Sequence, residues 1–101
     1  MSTTAMINSH PNPTSGLDVD RLAEAIDAAL ACAQSCTACA DACLAEEAVA
    51  DLRNCIRTNL DCADVCVATA SVLSRRTGSN LTVVTELLKA CRAACATCAE
   101  D

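Results

Sequence analysis

Ten cysteines stand at positions 32, 36, 39, 43, 55, 62, 66, 91, 95 and 98 of this 101-residue chain. Within three groups they are spaced by three, four or seven residues, the repeat of a single helix face. At the helical turn angle, Cys32, Cys36, Cys39 and Cys43 fall within an arc of about 60°. Cys55, Cys62 and Cys66 span about 40°, and Cys91, Cys95 and Cys98 about 60°. The pattern predicts three helices, each presenting a stripe of thiols.

Little else in the chain could build a core. Alanine supplies 21 residues, Leu, Ile and Val together 20, and Phe, Tyr and Trp none. A chain without aromatics forgoes its largest burial units. An aliphatic core of this size is marginal, and scaffolds so small usually take a staple or a metal. Two Gly and two Pro exclude collagen-like and low-complexity chains and are too few for a many-stranded β protein. The net charge of −6 argues against nucleic-acid binding, which needs a basic face. No apolar run approaches the length that spans a bilayer, so no membrane partner is expected.

Before Arg21 there is no Lys or Arg and no apolar stretch of signal-peptide type. The expected address is the cytosol, where thiols stay reduced, and metal binding is there a better reading of ten cysteines than a disulfide framework. Residues 1–16, polar and holding both prolines, read as a flexible tail, and residues 17–101 as a cysteine-lined helical bundle. The first long helix runs from Leu17 to about Ala45, with Ser15 and Asp18 as candidate caps. Glu46 and Glu47 mark a turn. The second helix runs from about Ala48 to Arg75, with Arg75 and Arg76 at its end and Gly78 beyond. Ser79 or Asn80 caps a third from Leu81 onward, where the helical period outweighs the β-branched cluster Thr82–Thr85. Short connections make neighbours antiparallel, so the fold class is all-α, an antiparallel up-down bundle.

Folding the chain at residues 46–47 and 77–78 sets Cys36 near the level of Cys55, Cys32 near Cys62, and residues 91–98 beside residues 57–64. Leu22, Ile26, Leu73, Leu81, Val84 and Leu88 then form an aliphatic plug at the other end. Disulfides within one helix fit poorly: residues one turn apart have Cβ atoms about 5–6 Å apart, and a disulfide wants about 3.8 Å. Metal fits better. With thiolate–metal bonds near 2.3 Å, two sulfurs about 4.6 Å apart hold one ion between them, an arrangement suited to Cu(I). Cys32/Cys36, Cys39/Cys43, Cys62/Cys66 and Cys91/Cys95 are the candidate pairs. Bridging thiolates with about as many Cu(I) ions approach neutrality, which avoids burying surplus charge.

The segments CAQSCTACADAC (32–43), CIRTNLDCADVC (55–66) and CRAACATCAED (91–101) resemble the cysteine-rich four-helix-bundle copper storage proteins of bacteria. The resemblance covers about residues 20–101. It implies a bundle, often tetrameric, that sequesters many Cu(I) ions in its core, and, without a signal, a cytosolic member. It implies metal-ligand roles for Cys32, Cys36, Cys39, Cys43, Cys55, Cys62, Cys66, Cys91, Cys95 and Cys98. The family's fourth cysteine-bearing helix has no counterpart here. Either the sequence is cut short or a partner chain completes the core.

Competing readings stay open at this level. The thiols could be core filler. They could form a zinc or iron–sulfur module, although zinc prefers closed sets of four and cluster ligands sit in compact loops. They could serve as a thiol redox sensor or interaction module, although CTAC (36–39) and CATC (95–98) lack the setting of a redox motif. No enzyme is indicated: the single histidine, His10, is in the tail, and no Gly-rich phosphate loop occurs. Asn59, on the Cys55 face, reads more simply as a polar cap than as a thiolate partner. His10 and Met6 read as tail residues rather than copper donors. Arg53 and Arg57 read as a solvated face pairing with Asp51, Asp61 or Glu46. Leu30, Leu44, Leu60 and Val67 read as core or oligomer contacts.

Overall fold

The structure is a computed structural model that describes residues 1–14 and 16–101. Its helices are α1 (Thr3–Asn8), α2 (Val19–Leu44), α3 (Arg53–Ser74) and α4 (Leu81–Glu100), with a 3-10 turn at Val49–Leu52 leading into α3. The described residues contain no strand. The all-α bundle is as the cysteine period demands, and the body is elongated, 52 × 29 × 17 Å. None of its helices is long and apolar enough to cross a membrane.

Helix α2 starts where an N-cap can form. The Asp18 carboxylate accepts from the Arg21 backbone N–H at 3.0 Å, satisfying one of the otherwise unpartnered donors of the first turn. Ser15, the other candidate cap, lies outside the described residues. Asn80 precedes α4, but its side chain makes no capping bond. The α3–α4 connection bends at Gly78, whose φ of +73° favours glycine.

The buried faces are built from small residues. Ala23, Ala29, Ala33, Cys36 and Ala40 of α2 face Cys62, Ala63, Cys66 and Ala70 of α3. Ile26 and Ile7 are the only larger apolar side chains in this buried set. Helices α2 and α3 pack along their length, α4 lies against α3, and α2 and α4 barely meet. The result is a trough rather than a closed tube, and no residue of α4 is fully buried.

The aliphatic end differs in membership from the expected plug. Ile26 is buried, with Leu22 and Leu73 packed around it, but Leu81 is 73% exposed and Leu88 44% exposed. Ile7 takes their place from a segment that reads as tail in the sequence. Ser2 caps α1 by accepting from the Ala5 N–H at 3.0 Å, and Ile7 is 2% exposed. The Arg76 guanidinium donates to the Ile7 and Pro13 carbonyls, and the Asn12 amide donates to the Arg76 carbonyl. A six-residue helix is unstable alone. It exists here because tertiary partners hold it, which no local period announces.

Candidate metal centre

The three cysteine stripes face one another. Sulfur–sulfur distances of 3.7 Å (Cys32–Cys62), 3.9 Å (Cys32–Cys95), 3.4 Å (Cys62–Cys95), 3.7 Å (Cys66–Cys95) and 3.8 Å (Cys66–Cys91) tie α2, α3 and α4 together. Within single helices, Cys32–Cys36 and Cys62–Cys66 are 3.8 and 4.0 Å apart. Two sets have sulfurs all within 4.8 Å of one another: Cys32, Cys62, Cys66 and Cys95, and Cys36, Cys62 and Cys98. Cys62 belongs to both. All ten cysteines are free thiols, and these separations are far from the 2.05 Å of a disulfide.

The register differs slightly from the folded-strip expectation. Cys32 does meet Cys62, but Cys36 sits with Cys62 and Cys98 rather than with Cys55. Cys55 lies instead beside the Asn59 amide that also faces Cys39. Residues 91–98 run beside residues 59–66, about two positions further than expected. The extended connection between α3 and α4 accounts for this, since Arg75 leaves the helix with extended backbone.

Asn59 is part of the site. Its amide N–H donates to the Cys55 carbonyl at 2.9 Å, and Nδ2 lies 3.4 Å from the Cys55 sulfur and 3.6 Å from that of Cys39. Its Oδ1 accepts from the Cys98 thiol at 3.1 Å. A side chain 4% exposed and bonded to three cysteines is more than a polar cap. The available signal was its position one turn from Cys55 on the sulfur face. Cys39 is exposed and Cys43 and Cys55 are half-buried, so this end is the mouth of the trough. His10 lies at the opposite end, lining a cavity shared with Arg75, Gly78 and Leu81. Arg57 pairs with Asp61 on the solvated face.

Burial and the neighbouring thiols set how readily these sulfurs ionise. Burial pushes the Cys36 thiol up to about 12 and raises those of Cys62, Cys66 and Cys95. Burial, together with the neighbouring Cys55 and Cys39, pushes Cys43 up to about 11. Cys32 moves the other way: burial opposes ionisation, but contacts from Cys62, Cys66, Cys36 and Cys95 outweigh it and lower its pKa. An anion at Cys32 would be shared by four neighbouring thiols.

A pH dependence follows for the metal-free protein. The ordinary value is 9.0, so Cys36 and Cys43 ionise in the unfolded chain while still protonated in the folded one. Their contribution to stability is complete below about pH 9 and is lost as pH rises through about 11 to 12. Thermal melts of the metal-free chain followed by circular dichroism are therefore expected to fall in Tm above pH 9. Melts of metal-loaded protein, whose sulfurs have already given up their protons, are expected to stay nearly flat over that range.

Soft thiolates at this density suit soft metal ions. Three sulfurs about 2.3 Å from one ion would be about 4.0 Å apart, and two on opposite sides about 4.6 Å. The observed separations match shared three- or four-sulfur environments better than isolated two-sulfur pairs.

The sequence model of the copper storage protein family, Csp, matches residues 18–101. The fold superposes with a TM-score of 0.94 on the copper storage protein Ccsp from Streptomyces lividans, in a structure loaded with 10 copper equivalents. That match has 49% identity over 98% of this chain and 75% of the other. A structure of a cytosolic copper storage protein from Streptomyces lividans with five coppers matches with a TM-score of 0.81. It has 56% identity over 84% of this chain and 71% of the other. No curated protein matches.

Proposed function

From the premise that this chain belongs to the copper storage protein family, we propose that it stores its copper as Cu(I), bound by all ten cysteines. Copper binding and storage come with the family. The oxidation state and the ligand set are the finer reading. The observation that carries it is the mutual approach of Cys32, Cys62, Cys66 and Cys95, with Cys36 and Cys98 joined through the shared Cys62. Ten soft donors in a continuous trough with shared members suit bridged Cu(I)–thiolate chemistry, which needs no fixed geometry at each ion. Bridging also holds the buried charge near neutrality as ions accumulate.

Filling starts, on this reading, at the open end. Cys39, Cys43 and Cys55 meet incoming copper, and Asn59 links Cys39 and Cys55 to Cys98, the next sulfur inward. The opposite end is closed by Ile7, Leu22, Ile26 and Leu73. The role is sequestration, with no reaction catalysed, in the reducing cytosol that keeps ten thiols free. Leu30, Leu44, Leu60 and Val67 are exposed to between 45% and 59% on the outer surface. They support assembly into a homo-oligomer, a tetramer by family resemblance, which light scattering on a sizing column would report.

Anaerobic titration with Cu(I), followed by native mass spectrometry, tests the reading. The expected result is saturation approaching one ion per cysteine. Saturation at one or two ions per chain would overturn it, as would copper held only in the divalent state.

A further inference from the structure

Helices α2 and α4 each pack on α3 but scarcely approach one another. Between them lies a cavity of about 310 Å³ lined by Ala25, Ala28, Ala29 and Leu88. What crosses this gap is sulfur, Cys32 to Cys95 and Cys36 to Cys98, each at 3.9 Å. With no residue of α4 fully buried, apolar packing holds that helix weakly.

The sulfurs of Cys32, Cys62, Cys66 and Cys95 all lie within 4.8 Å of one another. Five of the six separations are 3.4, 3.7, 3.7, 3.9 and 4.0 Å. A tetrahedron of four thiolates around one ion at about 2.3 Å has edges of about 3.8 Å, whereas a two-coordinate ion needs its sulfurs about 4.6 Å apart. The set thus has the spacing of a single four-coordinate ion's ligands. One of its sulfurs comes from α2, two from α3 and one from α4, so an ion there would join all three long helices. Cys62 and Cys66 are fully buried, Cys32 and Cys95 only partly so, and Cys32, Cys66 and Cys95 all border the cavity, where solvent screens the surplus negative charge of four thiolates.

We propose that Cys32, Cys62, Cys66 and Cys95 of the copper-free chain form a tetrahedral site for one divalent ion of the Zn²⁺ type, which staples α4 to α2 and α3 until copper displaces it. Binding releases thiol protons to solvent and changes no oxidation state. Closed four-sulfur sites of this kind contribute directly to folding.

The test uses the full reduced, copper-free chain without oxygen. Native mass spectrometry with added Zn²⁺ is expected to show one retained ion per chain. Co²⁺ in its place is expected to give the intense visible bands of a tetrahedral four-thiolate site. Amide exchange in α4 is expected to slow roughly hundredfold at free zinc about 100 times Kd. Cys95→Ser should abolish the four-sulfur cobalt spectrum. Weak, pale six-coordinate cobalt in the unaltered chain, or zinc binding lost with Cys43→Ser and kept with Cys95→Ser, overturns the proposal. The same preparation is then titrated with Cu(I). Full copper uptake without prior zinc binding defeats the staple alone, while zinc binding without multiple copper uptake defeats the storage reading alone.

Discussion

Replacing Cys62 and Cys66 together by alanine is expected to remove more copper than two sulfurs account for. The Cys62 sulfur lies 3.4 Å from that of Cys95, 3.7 Å from Cys32 and 4.0 Å from Cys66, and it also belongs to the set with Cys36 and Cys98. In a bridged network each ion shares its sulfurs with neighbouring ions. Deleting the shared members therefore leaves Cys32, Cys36 and Cys95 without their sulfur partners on α3, and Cys98 with only the Asn59 amide there. The comparison is Cys39→Ala with Cys43→Ala, which removes the same number of sulfurs from the mouth. Cu(I) titration of the two variants, read as ions per chain by native mass spectrometry, should show a clearly larger deficit for the inner pair. Equal deficits would mean that the sulfurs act independently. Cys62 and Cys66 are wholly buried, so the serine pair, closer in volume, separates loss of ligands from loss of packing.

Ile26→Ala is expected to lower the Tm of the copper-free chain sharply and that of the copper-loaded chain far less. Ile26 is 2% exposed, packed in a cluster whose other members are mostly alanine and cysteine. Truncating such a side chain costs about 2–5 kcal/mol, against a total stability for small domains of roughly 5–15 kcal/mol. With no aromatic residue, and Ile7, Val19, Leu22 and Leu73 the larger aliphatic side chains of the cluster, few neighbours can fill the space. Copper binds the folded state and stabilises it by mass action, about 4 kcal/mol for each site at 1,000 times its dissociation constant. Circular dichroism melts with and without Cu(I) would show a large loss of Tm that copper largely restores. If copper failed to restore Tm, binding would not be coupled to the bundle fold.

Both predictions draw on information that the chain carries locally. The spacing of Cys32 to Cys43, Cys55 to Cys66 and Cys91 to Cys98 places each row on one helix face, because the backbone turn angle leaves no other option. Alanine at the neighbouring positions lets the faces approach closely enough for sulfurs to touch. The Asp18 cap and the turn at Glu46 and Glu47 are equally local, and the structure contains both.

Register, closure and the outlying helix lie beyond local pattern. Whether Cys36 meets Cys55 depends on the connection between α2 and α3, and whether it meets Cys98 on the path between α3 and α4, and no period encodes either. Asn59 reads as an ordinary polar residue until three cysteines from three helices converge on its amide. Ile7 reads as tail until Arg76, 69 positions away, reaches its carbonyl. The amino-acid order thus dictated three sulfur-bearing helix faces, since a face follows from bond geometry within a few residues. Only the folded arrangement decided which sulfurs share an ion's reach, since that depends on volumes and connections distant in sequence.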